Sequence, residues 1–204
     1  MDAVLAFAAT LVSLRLAAEL VRRHRARPAP ELLWWAASLL AFAAASAALA
    51  WGAADGWDDR AFRLYYLAGA LLTAALLGTG SLVRIGRRRV APVMLVYVGL
   101  AIGLAVAEPL TSTVTGTEIP DAQEHFAFLP LRLLAILANT LGTLAAAGVA
   151  VATIRRRPLG NTLLLAGIGV AALGSALTGL GAAESAVFFA ASSVLLYAGF
   201  VVNR

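Results

Sequence analysis

The chain has 204 residues, 61% of them hydrophobic, a mean hydropathy of +0.86 and a net charge of +5. A soluble domain is only about 45–50% apolar, so a bundle embedded in lipid is expected, with no separate soluble domain. Cysteine is absent and all sixteen basic residues are arginine, which excludes disulfides, thiolate metal sites, cysteine nucleophiles and a lysine Schiff base with retinal or pyridoxal phosphate.

The first predicted span covers 4–21, with Asp2 before it and Arg22, Arg23, Arg25 and Arg27 after it. A cleavable leader carries its positive charge ahead of the apolar run, so this span reads as an uncleaved helix with its N-terminus outside. Pro28 and Pro30 close the connection, and Glu31 falls in the first turn of the next helix, where a negative charge suits the dipole. The second span covers 32–51, with Trp34 and Trp35 at its inner interface and Trp51 at its outer one. An acidic loop follows, with Asp55, Asp58 and Asp59.

The third span, 64–83, runs for roughly 30 Å at 1.5 Å per residue, the thickness of the hydrocarbon layer. It opens on Arg63, Tyr65 and Tyr66 and closes on Arg84, Arg87, Arg88 and Arg89, an aromatic belt at one face and a cytoplasmic anchor at the other. The fourth span covers 92–106. The long connection at 109–130 carries Glu118, Asp121, Glu124 and His125, and a loop of that length is more often functional or mobile. The fifth span, 131–154, ends in Arg155, Arg156 and Arg157. The sixth covers 162–180, and a short turn at 181–184 leads into the seventh, 185–202.

Thirteen of the sixteen arginines then lie at cytoplasmic ends and nine of the eleven acids at outer ends. The expected fold class is therefore all-α: a polytopic bundle of seven transmembrane helices in a bacterial inner membrane, N-terminus outside and C-terminus in the cytoplasm. The positive charge serves orientation, so no nucleic-acid partner is expected. Small residues at Gly99 and Gly103, at Gly78 and Gly80, and at Gly142 and Ala146 suit close helix packing in lipid. A faint repeat relates the arginine–proline connection after the first span to the one after the fifth, as in three-plus-one-plus-three carriers.

Few residues carry chemistry. Arg15 and Glu19 stand one turn apart within the first span, spaced to form an intramembrane ion pair. Arg63, Tyr65, Tyr66, Glu108 and Arg132 gather at the outer ends of spans three, four and five, where Glu108 is placed to pair with an arginine and the group to line a vestibule for a polar head group. Asn139 lies deeper, with Thr140, and needs a hydrogen-bond partner inside the membrane. Ser192, Ser193 and Tyr197 lack a nearby histidine to activate a nucleophile, and His125 with Glu124 and Asp121 offers too few ligands for a metal. No catalytic residue, metal or cofactor is assigned.

Seven helices with the N-terminus outside resemble the topology of microbial rhodopsins, but without their retinal-bearing lysine. The segments Arg63-Leu64-Tyr65-Tyr66-Leu67, Gly78-Thr79-Gly80, Leu129-Pro130-Leu131-Arg132 and Ala198-Gly199-Phe200 resemble a group of polytopic membrane proteins of high-GC bacteria that has no assigned activity. That likeness implies a fold and no function. The sequence reading is a binding or accessory protein that holds a lipid-like molecule or a membrane partner, with membrane lipids and a second copy as further partners. The alternative is a small transporter with a polar path from Asn139 and Thr140 to Arg15 and Glu19.

Overall fold

The computed structural model describes residues 2–155 and 158–179, together with 188, 191, 192, 194–196, 198 and 199. Arg156, Arg157, the turn at 181–184 and most of the seventh predicted span, Ser193, Tyr197 and Phe200 included, lie outside the described residues. The protein is 83% helical, with no strand among the described residues. Among the described residues, five helices are long and apolar enough to cross a membrane, which points to a multi-pass membrane protein.

Helix α1 (Asp2–Ala26) ends with Arg23, His24 and Arg25, cations that suit the negative end of the helix dipole. The Ala29 N–H lies 3.2 Å from His24 Nδ1, which fixes the turn into α2 (Pro30–Asp55). Pro30 opens α2, where a missing N–H costs nothing. The hairpin closes on Leu16, Ala17 and Leu20 of α1 against Trp35, Ala36 and Leu39 of α2. Alanines and serines cover much of the buried face of α2, so neighbouring helices approach closely on two sides.

Helix α3 spans Asp59–Arg84. Asp58 caps it, its Oδ1 accepting from the Ala61 N–H at 2.7 Å, so the helix starts a full turn before the apolar run. Its middle, Tyr66–Thr73, winds as a π-helix, a form that is rare and frequently functional. Three hydroxyls satisfy carbonyls in this stretch: Thr73 Oγ1 donates to Ala68 O at 2.8 Å, Ser38 Oγ to Thr73 O at 2.7 Å, and Tyr97 Oη to Leu71 O at 2.7 Å.

Helix α4 (Val90–Ala107) is peripheral. Only Ala101 and Ala105 are buried, while Val93, Val96 and Val106 are about 70% exposed. Gly99 and Gly103, expected to seat a helix, meet nothing within 4 Å among the described residues. The pair at work is Gly78 and Gly142, where α3 meets α6 (Phe128–Ala152) backbone to backbone. The difference is one of facing: α4 turns its glycines away from the other described helices.

The long connection is folded rather than loose. Phe126 and Val114 are buried, and a four-residue helix, α5 (Ala122–His125), forms within it. Trp57 N–H donates to Gly116 O at 2.7 Å and Val114 N–H to Asp59 Oδ1 at 3.2 Å, pinning the loop to the start of α3. Helix α7 (Pro158–Gly179) is tied to the end of α6 by Asn161, whose Nδ2 donates to Ala150 O at 3.1 Å and Thr153 Oγ1 at 2.9 Å.

Candidate functional site

A half-open cavity of about 510 Å³ lies between α2, α3, α6 and α7. Its walls are largely apolar, from Phe42 and Leu49 of α2, Leu77 of α3, Leu144 of α6 and Ile168 of α7. Its polar groups are Ser46, Tyr65, Thr73, Asn139, Thr140, Thr143 and Ser192, the last buried with its Oγ donating to Gly167 O at 3.0 Å. None of the described residues lining it is charged. The volume falls in the range of small-molecule pockets, about 300–1,000 Å³.

Helical periodicity explains the arrangement. Asn139, Thr140, Thr143 and Leu144 share one stripe of α6. Gly142, on the adjoining face, draws α6 against α3 and leaves the polar stripe beside that contact. The π-helical segment contributes Gly69, Ala70 and Thr73, small residues that leave room. Asn139, Thr140 and Thr143 make no side-chain hydrogen bond among the described residues.

The predicted outer vestibule divides. Tyr65 lines the cavity and meets Trp57 edge-on at 5.4 Å. Tyr66 is instead buried in an aromatic cluster, 5.0 Å from the Phe126 ring, with Phe62 stacked on Phe126 at 5.2 Å. Arg63 Nη1 donates to Ala105 O at 2.7 Å, capping the last turn of α4, and its guanidinium lies 5.9 Å from the Phe126 ring centre. Arg132 sits 5.5 Å over Phe128. Glu108 ends α4 and forms no salt bridge with Arg63 or Arg132. The expected pairing therefore does not occur, because Arg63 is drawn to the carbonyl end of α4 and Arg132 to an aromatic face. Of the six predicted vestibule residues, Tyr65 and Asn139 reach the cavity.

The expected Arg15–Glu19 pair is also corrected. Glu19 accepts from Arg23 Nε at 2.9 Å and from Arg22 Nη2, while Arg15 is exposed and takes no part. An acid N-terminal to its cation at i, i+4 is the better order, which favours Arg23 over Arg15. Neither Arg15 nor Glu19 lines the cavity. His125 shares a 2.7 Å hydrogen bond with Ser112 Oγ and sets its ring against Phe62 at 5.3 Å.

Sequence reasoning missed Ser46, Thr73 and Thr143. Their signal was faint: small polar residues within apolar spans, of which Thr73 does bond its own helix. A second, water-sized cavity of about 30 Å³ lies toward the arginine-rich ends, lined by Ser81, Arg84, Thr153 and Asn161. The two cavities share Leu77, Ile168 and Leu196 as walls. No family model, no curated protein and no solved structure matches the chain.

Proposed function

We propose that the chain is a seven-span protein of the bacterial inner membrane, N-terminus outside, that holds a lipid-like small molecule between its helices. The observation that carries the reading is the 510 Å³ cavity, apolar in its walls, with hydrogen-bonding side chains at mid-span. The arginine distribution supports the orientation: Arg22, Arg23, Arg25, Arg27, Arg84, Arg87, Arg88, Arg89 and Arg155 follow or join spans at one end of the bundle. The reading has no catalytic step, because the polar groups around the cavity include no acid, base or activated nucleophile among the described residues.

Native mass spectrometry of the full chain released from mild detergent tests this. A discrete adduct of constant mass is expected. Bare protein, or protein with a defined second chain and no small adduct, overturns it in favour of a scaffold.

One observation favours a second reading, a small transporter. The two cavities are aligned along α3 and separated by the apolar side chains Leu77, Ile168 and Leu196. Flux of the captured molecule across proteoliposomes, increased by Leu77→Ala, distinguishes transport from retention.

A further inference from the structure

We infer that the cavity selects an uncharged amphiphile, one with a hydroxyl or carbonyl head on an apolar body, and that Asn139 anchors that head at mid-membrane depth. This inference rests on the binding reading above and names the class of ligand.

Asn139 stands near the middle of the span Phe128–Ala152. Its amide offers two N–H donors and a carbonyl acceptor, none of them used within the described residues. An unpaired amide at that depth is costly, since the hydrocarbon layer supplies no water to pair it. The Thr140 and Thr143 hydroxyls stand on the same stripe of α6, also unused among the described residues. Across the cavity, the Thr73 hydroxyl has committed its proton to Ala68 O and is left as an acceptor. A hydroxyl or carbonyl head placed here finds donors from α6 and an acceptor from α3.

Charge excludes the other lipid classes. An ion buried without a counter-ion is strongly disfavoured, and no described residue lining the cavity carries charge. Two arginines near the outer ends of these helices are engaged elsewhere, Arg63 on Ala105 O and Arg132 over Phe128, and Arg60 does not line the cavity. A phospholipid or fatty acid keeps its charged head at the interface, whereas the hydrogen-bonding groups here are at mid-span. A neutral head can travel to them.

Three probes of one chain length isolate the head: farnesol, the hydrocarbon farnesene and the carboxylate farnesoate. Each is offered at the same mole fraction to the full protein in nanodiscs, and its retention is read by native mass spectrometry. Farnesol is expected to be retained about tenfold better than either, the worth of one good buried hydrogen bond. Asn139→Leu should abolish that preference, bringing farnesol retention to the level of farnesene in the same variant. Thr140→Val, a near-isosteric change, should reduce the preference and serves if Asn139→Leu fails to fold, as judged by helical circular dichroism. Equal retention of farnesene and farnesol overturns the polar anchor while sparing the binding reading. So does a preference for farnesoate, or a farnesol preference that survives both substitutions. Retention of none of the three overturns both.

Discussion

Gly78 and Gly142 hold α3 and α6 together at backbone distance: a Cβ added to Gly78 would lie 2.5 Å from the Gly142 carbonyl oxygen. Lipid offers no hydrophobic driving force between helices, so such close approach supplies the dispersion contact that joins them. It also fixes the rotation of α6 and so keeps Asn139 and Thr140 on the cavity. Gly142→Leu should destabilise the bundle by about 1–3 kcal/mol, the usual cost of overpacking. Gly99→Leu and Gly103→Leu should cost little, since no described residue lies within 4 Å of either. Thermal unfolding in detergent, followed by circular dichroism, compares them. Equal losses at all three positions would refute the packing assignment.

The folded loop rests on one aromatic residue. Phe126 is 2% exposed and stacks on Phe62. Phe126→Ala should cost about 3–5 kcal/mol, the range for a buried phenylalanine. It should also open residues 108–127 to limited proteolysis. An intact loop in the variant would show that the backbone bonds from Trp57 and Val114 suffice to hold it.

The helix cap makes a smaller prediction. Asp58→Ala removes the acceptor for the Ala61 N–H and should cost about 1 kcal/mol. Asp58→Asn should retain most of that stability, because an asparagine oxygen caps nearly as well. Thermal midpoints of the two variants check the order.

Arg63 gives a test of role. Its bond to Ala105 O closes the last turn of α4, so Arg63→Ala should loosen α4 by about 1.5–3 kcal/mol, as expected for a charge-assisted hydrogen bond. Ligand retention should be unchanged, since Arg63 does not line the cavity. Loss of the bound molecule with no change in stability would restore Arg63 to a head-group site.

Much of the fold was legible because hydropathy and arginine clusters act over whole spans. Of the seven expected spans, the first five appear among the described residues as helices long and apolar enough to cross a membrane, near the expected places. Their ends were less legible: Asp58 moves the start of α3 outward, and α2 continues to Asp55. The site was harder to read. Gly99 with Gly103 looks like a better packing pair than Gly78 with Gly142, yet only the latter meets another helix, because burial depends on how each helix is rotated. Glu19 is flanked by Arg15, Arg22 and Arg23 at helical spacings, and side-chain direction decides among them. The π-helical stretch at Tyr66–Thr73 carries no sequence mark, yet it shapes one wall of the cavity.

The most direct measurement compares native mass spectra of the wild-type chain and Thr140→Trp, a substitution that fills the cavity from α6. The wild type should carry one adduct of constant mass, and the folded variant should carry none. The same adduct on both, or bare protein in both, would contradict a ligand held between α2, α3 and α6.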